Sequence, residues 1–298
     1  MFPSRFFRHS CIFVSAKSGI ERPADLAGKR VGVPEYQMTA PVWIRGILQD
    51  EYGVDPASCT YFSGGQEEPG REEKLKLSLP AKFKVEPIPR DKTLSQMLAD
   101  GELDALHAAR APSTLYTRPK DVRRLFADSP AVERAYFEKT RIFPIMHVIA
   151  LRRDVYEANR WIATSLYKAF ERAKQLTYDG LIVSAAAKTM LPWQIAQVEQ
   201  VRRDMGEDWW PYGLEPNRHV LETFLRYHHE QGLSARRLDA VQRPAFSAMR
   251  LDPRVAFFHR DRFSLQRLAD ETFGFLAHRL LRHVTPCLFR RSCGDTLY

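Results

Sequence analysis

Residues 23–54 read P-A-D-L-A-G-K-R-V-G-V-P-E-Y-Q-M-T-A-P-V-W-I-R-G-I-L-Q-D-E-Y-G-V and hold a complete strand–turn–helix unit. Residues 30–33 predict a short buried strand, which Pro34 ends because proline cannot donate to a β-ladder. Thr39 is a suitable N-cap for the following helix, and Gly53 a suitable end. Open α/β sheets bind small ligands at the carboxyl ends of strands, where a helix N-terminus favours anions. The turn between strand and helix is therefore a candidate site for a small anionic molecule.

The composition of the 298-residue chain is that of an ordinary globular protein, with 44% hydrophobic and 27% charged residues. Its length suits one large domain or two modest ones, with a substantial core. No run of about 18 apolar residues occurs, so we expect no membrane partner. The net charge is +9, and residues 243–298, with ten arginines and five acids, supply 10 − 5 = +5 of it. No nucleic-acid-binding motif accompanies this charge, so we expect no nucleic-acid partner.

Cysteine usage and the first residues bear on the compartment. The four cysteines form no C-x-x-C pair, so we expect a reducing compartment rather than a disulfide framework. Residues 1–10 lack the apolar core and the cleavage site of a secretory signal. These features together favour a cytoplasmic protein.

Short apolar runs and amphipathic stretches alternate along the rest of the chain. Strands are predicted at residues 11–15, 59–62, 83–88, 104–108, 122–126 and 145–151, the last being the strongest. Helices are predicted at residues 91–98, 155–178, 181–190, 195–205 and 216–231. Residues 64–76, rich in glycine and charge, predict a surface loop. This order favours a largely parallel sheet with flanking helices.

The two ends of the chain depart from this pattern. The strand at residues 11–15 begins unusually close to the first residue, and we expect that the opening part of the fold is missing from this sequence. Residues 243–298 are Arg-rich and irregular apart from an amphipathic stretch at 263–283. We expect this C-terminal extension to be poorly ordered.

Seven segments together resemble one family. They are F-P-S-R-F-F-R-H-S (2–10), G-K-R-V-G-V-P-E-Y-Q-M-T-A (28–40), W-I-R-G-I-L (43–48), T-L-S-Q-M-L-A-D-G-E-L-D-A-L (93–106), A-R-A-P-S-T (109–114), R-I-F-P-I-M-H (141–147) and W-P-Y-G-L-E-P-N-R (210–218). Over residues 2–240 the chain resembles the 4,5-dihydroxyphthalate decarboxylases. The resemblance implies the two-lobed α/β fold of type II periplasmic solute-binding proteins, with mixed sheets, flanking helices and a ligand in the cleft. It implies a domain spanning residues 1–242, with an incomplete first lobe and a second lobe mainly within residues 28–150.

The resemblance also implies a reaction, the decarboxylation of 4,5-dihydroxyphthalate to 3,4-dihydroxybenzoate and carbon dioxide in the degradation of phthalates. The ring carbon that bears the leaving carboxylate must be protonated, with electrons supplied by the para hydroxyl. Such a site needs cations for two carboxylates, a base or polar partner for the catechol, and an acid near the ring. This scheme needs no cofactor, and the sequence carries no metal-binding motif. The expected partner is a small aromatic dicarboxylate, and a homo-oligomer is left open.

The quoted motifs supply the candidate site residues. Arginine pairs bidentately with carboxylates, and histidine transfers protons near neutral pH. The candidate catalytic residues are His147 and His9. The candidate substrate-binding residues are Arg8, Ser10, Tyr36, Met38, Thr39, Arg45, Arg110, Ser113, Arg141, Trp210 and Tyr212.

Several candidates have a structural alternative. Arg110 would otherwise form a surface ion pair, Arg45 would lie on a solvated helix face, and His147 would be a hydrogen-bonded core residue. Trp210 and Tyr212 would pack between lobes rather than stack on a substrate ring. The function also has a rival, a non-catalytic binding protein of an ABC-type transporter for a small aromatic acid, since one fold serves both. A third interpretation is an inert fragment of a decayed gene.

Overall fold

The computed structural model describes residues 1–240. The chain separates into two units, Met1–Gln242 and Arg243–Tyr298. The predicted C-terminal extension and its amphipathic stretch therefore lie outside the described residues. The division of the first unit into lobes stays a prediction.

Short strands and eight α-helices form the described chain. The strands are β1 (Ser4–Arg5), β2 (Ile12–Ser15), β3 (Arg30–Val33), β4 (Thr60–Ser63), β5 (Lys84–Pro87), β6 (Ala105–His107), β7 (Val122–Arg124) and β8 (Ile145–His147). The α-helices within residues 1–240 are α1 (Thr39–Tyr52), α2 (Leu94–Asp100), α3 (Thr114–Thr117), α4 (Ser129–Thr140), α5 (Arg153–Ala158), α6 (Trp161–Leu181), α7 (Gln194–Met205) and α8 (Arg218–Glu230). 3₁₀ turns cover His9–Cys11, Pro23–Leu26, Pro56–Ser58 and Glu215–Asn217.

The main sheet has six strands in the order β5-β4-β3-β6-β2-β7. Strand β2 runs antiparallel to β6 and β7, and the other neighbouring pairs are parallel. The predicted mixed α/β class, with a largely parallel sheet and flanking helices, is confirmed. Because β3, β4 and β6 run the same way, their carboxyl ends meet at one edge of the sheet.

Helix α1 lies at the centre of the packing. Every residue from Ala40 to Leu48 is buried, so the helix contacts protein on all sides. Gly46 lets α8 approach, since a Cβ there would lie 2.1 Å from the ring of Tyr227. The helix ends at Gly53 in the left-handed conformation (φ 68°), as predicted.

Three predicted elements are wrong in extent or kind. The strand at 145–151 ends at His147, because its partner β1 has only two residues; the residues that follow are exposed, with one backbone hydrogen bond from Ile149 to Met1. The helix at 155–178 is interrupted near Asn159, since asparagine is a weak helix former. The helix predicted at 181–190 does not form, because the apolar side chains after Leu181, where α6 ends, are exposed and gain nothing from packing.

Among residues 1–240, no helix is both long and apolar enough to cross a membrane.

Candidate functional site

A cleft opens at the edge of the sheet where β3, β4 and β6 end. It consists of two adjoining cavities, which share Met38 and Ala109 in their walls. The Arg8 cavity, about 280 Å³, is lined by Arg8, Glu35, Gln37, Met38, Thr39, Ala40, Ala109, Met146 and His147. The Arg110 cavity, about 790 Å³, is lined by Pro34, Met38, Gly65, Gln66, Glu67, Glu68, Pro69, Gly70, Arg71, Lys74, Ala109, Arg110 and Ala111.

A third cavity of about 620 Å³ lies between residues 70–79 and β5. Its wall is mostly apolar, with side chains such as Leu75, Leu77 and Phe83. None of the residues predicted for the site lines it. The Arg8 and Arg110 cavities together therefore form the candidate site.

The N-terminus of α1 forms one wall of the Arg8 cavity. The predicted cap at Thr39 is wrong, because Met38 occupies the N-cap position and no side chain accepts a capping hydrogen bond. The backbone N–H groups of Thr39 and Ala40 have no acceptor within the helix. Together with the helix dipole, they favour an anion in this cavity.

Arg8 is a buried cation on the cavity wall, with 6% of its surface exposed. Its Nε lies 3.0 Å from the sulfur of Met146, and its Nη1 lies 3.4 Å from both the Ala109 carbonyl oxygen and the Cys11 sulfur. No carboxylate within residues 1–240 forms an ion pair with this guanidinium. Sulfur and one distant carbonyl compensate a buried charge poorly, so an incoming carboxylate would find strong donors here.

His147 lies at the end of β8, beside Met146 in the same cavity wall. Its side chain is exposed, so the alternative of a buried core histidine does not apply. The short β1–β8 ladder pairs His147 with Ser4 and fixes its backbone opposite the segment that carries Arg8. The structure thus brings an arginine near the start of the chain and a histidine from the middle of the domain into one cavity.

Glu35 lines the Arg8 cavity but was not among the candidates. It is 3% exposed, and its Oε1 accepts hydrogen bonds from Nε (3.1 Å) and Nη2 of Arg71. Gln37 donates to its Oε2 at 3.3 Å. The position of this acid in the turn after β3 is the sequence signal that could have identified it.

The loop after β4 covers this turn. The carboxylate of Glu73 accepts hydrogen bonds from the backbone N–H groups of Tyr36 (3.1 Å) and Gln37 (3.4 Å). Burial raises the pKa of the Glu73 carboxyl. Together with the Arg71–Glu35 ion pair, these two hydrogen bonds hold the loop at residues 64–76 against the turn that lines the cleft.

Arg110 gives the Arg110 cavity an exposed cation. Its carbonyl accepts a hydrogen bond from Gln66 Nε2 at 3.1 Å, whereas its guanidinium pairs with no residue in the described part of the chain. Ser113 lies nearby, but its hydroxyl donates to Glu67 Oε2 at 2.6 Å and does not line either cavity. Arg110 is therefore the predicted cation best placed to meet a second carboxylate.

His9 lies away from the cleft, with 1% of its surface exposed. Its ring packs edge-on against the rings of Phe126 (5.4 Å between centroids) and Tyr136 (5.0 Å). Burial lowers the pKa of this imidazole to about 4. At neutral pH it is a neutral core residue, and it is not part of the site we describe.

Arg45 and Tyr36 also lie in the core. The Arg45 guanidinium lies 3.8 Å from the ring centroid of Tyr36 and is 1% exposed. Its Nη2 donates to the Tyr36 carbonyl at 2.7 Å, and its Nε donates to Gln231 Oε1 at 2.8 Å. Arg45 therefore lies neither on a solvated helix face nor in the cleft. Its hydrogen bond to Gln231 connects α1 to the segment after α8.

Four further candidates lie outside both cavities. Arg141 is exposed at the end of α4, in the left-handed conformation with φ 56°. Trp210 packs edge-on against Phe143 at 5.3 Å, Tyr212 lies half-buried beside Lys174, and the Ser10 N–H donates to a carboxylate of α4. Trp210 and Tyr212 therefore have packing contacts rather than a place in either cavity wall.

The cleft contains no evident metal centre within the described range. Across residues 1–240, no three His, Cys, Asp or Glu side chains are grouped closely enough to hold a metal ion.

Comparison with known proteins gives the following matches. No family model matches the chain. It is 43% identical over 242 residues to the 4,5-dihydroxyphthalate decarboxylase of Comamonas testosteroni, covering 81% of this chain and 73% of that protein. It is 50% identical over 128 residues to the enzyme of the same name from Pseudomonas putida, covering 43% of this chain and 50% of that protein.

Two solved structures show a distant likeness to the chain. The periplasmic aliphatic sulphonate binding protein SsuA from Escherichia coli matches with a TM-score of 0.40 and 14% identity, over 82% of this chain and 72% of that one. Protein AF1704 from Archaeoglobus fulgidus matches with a TM-score of 0.31 and 18% identity, over 75% and 68%. The sequence match to the Comamonas protein, by contrast, is extensive in both chains: the chain belongs to the 4,5-dihydroxyphthalate decarboxylase family.

Proposed function

We propose that this protein is a carboxy-lyase that converts 4,5-dihydroxyphthalate to 3,4-dihydroxybenzoate and carbon dioxide. One observation carries the proposal. Arg8, a buried guanidinium that forms no ion pair with a carboxylate of residues 1–240, lines one small cavity with the α1 N-terminus and His147. The names of the Comamonas and Pseudomonas relatives support the choice of substrate.

The cleft offers separate positions for the two substrate carboxylates. The first carboxylate binds to Arg8 and to the N–H groups at the start of α1. The second lies toward Arg110, across the shared wall formed by Met38 and Ala109. The Arg8 cavity is near the lower end of the size range of small-molecule sites, which suits a single aromatic ring.

His147 is the acid in this proposal. It delivers a proton to the ring carbon that bears the leaving carboxylate. The bond between that carbon and the carboxylate then breaks, carbon dioxide leaves, and the electron pair of the broken bond restores the aromatic ring. Because His147 is exposed, water can return its proton between turnovers.

The compartment and assembly belong to the same proposal. We place the protein in the cytoplasm, and the two described cysteines support this because Cys11 and Cys59 are buried and unpaired. The partner is the small aromatic dicarboxylate itself. Sedimentation of the full chain would establish whether it forms a homo-oligomer.

The test compares the full chain with its Arg8→Met variant, using 4,5-dihydroxyphthalate and following the formation of 3,4-dihydroxybenzoate. We expect Arg8→Met to lower kcat/KM at least about 30-fold, because it removes one partner of a buried charge pair. Arg22→Met is the matched control, since Arg22 is exposed and pairs with Asp25 outside the cleft. Saturable binding of the substrate without any product would instead support the rival function, a transport-associated binding protein.

A further inference from the structure

Glu35 is a buried acid for which the proposed binding scheme has no use. It follows the proline that ends β3 and lies in the wall of the Arg8 cavity together with Arg8 and His147. Only 3% of its surface is exposed. Among the described residues that line this cavity, it is the one carboxylate.

The two oxygens of Glu35 differ in their hydrogen bonds. Oε1 accepts both N–H groups that Arg71 offers, and this ion pair holds the carboxylate group in place. Oε2 accepts only a long hydrogen bond, 3.3 Å, from the Gln37 side chain. A carboxylate can accept about four hydrogen bonds, so Oε2 retains capacity for a hydroxyl donor.

The other acids near the cleft are differently engaged. Glu67 and Glu68 line the Arg110 cavity rather than the Arg8 cavity; both are exposed, and Glu67 accepts hydrogen bonds from Ser113. Glu73 accepts the backbone N–H groups of the turn and lines neither the Arg8 nor the Arg110 cavity. Glu35 is therefore the acid positioned to meet a ring whose carboxylate lies on Arg8.

We propose that Glu35 is the base that accepts the proton of the substrate hydroxyl para to the leaving carboxylate. This inference rests on the proposed function. Arg71 is a positioning residue in this scheme, because it holds Glu35 and lines only the neighbouring cavities.

The proposed reaction begins at the substrate hydroxyl. The hydroxyl O–H bond breaks, its proton goes to Glu35 Oε2, and the oxygen becomes a ring carbonyl. A ring π pair takes the proton of His147 to form a C–H bond at the carbon bearing the carboxylate. When the bond to the carboxylate breaks, its electron pair restores the ring, the carbonyl oxygen becomes a phenolate, and Glu35 returns the proton. The net change is one proton gained, through His147, and one carbon dioxide released.

The test uses the full chain and two ligands, 4,5-dihydroxyphthalate and phthalate, which has the same carboxylates but no hydroxyls. In the Glu35→Gln variant we expect kcat to fall about 100-fold or more, the range typical for loss of a general base. Phthalate affinity should stay within threefold, because Arg8 and the α1 N-terminus are intact. Glu72→Gln is the matched control, since Glu72 lies on the same loop as Arg71 but pairs with Arg90 at the surface.

Two further variants separate a base from a structural residue. Glu35→Ala should regain at least tenfold in kcat on addition of formate, which supplies the missing carboxylate. Glu35→Asp keeps the charge and should give an intermediate kcat even if the other variants fold poorly.

The outcomes are distinct. An unaltered chain that makes no product overturns the proposed function and this inference with it. An active unaltered chain whose Glu35→Gln variant retains kcat within threefold, or loses phthalate binding equally, overturns this inference alone.

Discussion

Replacing Arg8 with methionine should weaken ligand binding without lowering the free energy of unfolding of the free protein. In the free protein, Arg8 is buried with only the sulfur atoms of Met146 and Cys11 and one carbonyl oxygen as hydrogen-bond partners. Replacing a poorly compensated buried charge by an apolar side chain of similar volume is often neutral or stabilising, by about 1–4 kcal/mol. We therefore expect the free energy of unfolding of Arg8→Met to equal that of the unaltered chain or exceed it, by up to about 2 kcal/mol.

The same substitution should weaken ligand binding. Truncating one partner of a buried, hydrogen-bonded charge pair costs about 2–5 kcal/mol, or about 30- to 5000-fold in Kd. At a ligand concentration of about 100 times Kd, the unaltered chain gains about 2.7 kcal/mol of stability from binding. At that same concentration the variant should gain less than about 1 kcal/mol.

The assay is urea unfolding with and without 4,5-dihydroxyphthalate, followed by tryptophan fluorescence. Arg45→Met is the contrasting variant, because the Arg45 guanidinium makes two short hydrogen bonds in the core, to Gln231 and Tyr36. It should lose about 3 kcal/mol of stability, since hydrogen bonds to charged groups contribute about 1.5–3 kcal/mol each. If Arg8→Met is destabilised by more than about 1 kcal/mol in the absence of ligand, Arg8 is a structural residue and the reasoning fails.

Two further predictions concern the fold. Gly46→Ala should lower the free energy of unfolding by about 1–3 kcal/mol, because its Cβ would overlap the buried Tyr227 ring. This loss should outweigh the better helix propensity of alanine. An equal or higher urea midpoint would contradict the packing of α1 on α8. Burial lowers the pKa of His9 from its ordinary 6.5 to about 4, so the unfolded chain binds a proton at His9 more readily than the folded chain. This difference lowers the free energy of unfolding as the pH drops from about 6.5 to about 4. That contribution is about 3 kcal/mol at most, and His9→Phe should flatten this part of the stability–pH curve; an unchanged curve would contradict the burial of a neutral His9.

The strand–turn–helix unit at residues 23–54 could be predicted because its signals are local. An apolar run, a proline and a terminal glycine determine β3 and the end of α1 without help from distant residues. The cap of α1 was mistaken because a helix can begin without a side-chain cap when its N-terminus faces a cavity. Sequence favoured Thr39 there, and the structure places Met38 at that position.

The choice among arginines and histidines could not be made from the sequence. Arg8 and Arg45 both lie in motifs that resemble the family, and contacts with residues about 140 to 190 positions away decide which of them lines the cavity. Met146 lies beside Arg8 in the cavity wall, whereas Gln231 accepts a hydrogen bond from Arg45 in the core. The same holds for the histidines, since the two-residue β1 ladder leaves His147 exposed in the cavity wall whereas neighbouring aromatic rings bury His9.

Glu35 was overlooked for a related reason. Its partner Arg71 lies in a loop 36 residues later, and the sequence predicts that loop only as exposed and charged. Once the loop crosses the turn, an ordinary surface acid becomes a buried carboxylate beside a cation. Long-range ion pairs of this kind leave no periodic or compositional trace.

The most direct measurement is product analysis for the full chain incubated with 4,5-dihydroxyphthalate. We expect 3,4-dihydroxybenzoate and carbon dioxide to form in equal amounts, and both to fall together in the Arg8→Met and Glu35→Gln variants. Saturable binding of 4,5-dihydroxyphthalate with neither product formed would contradict the proposed decarboxylation and identify a binding protein instead.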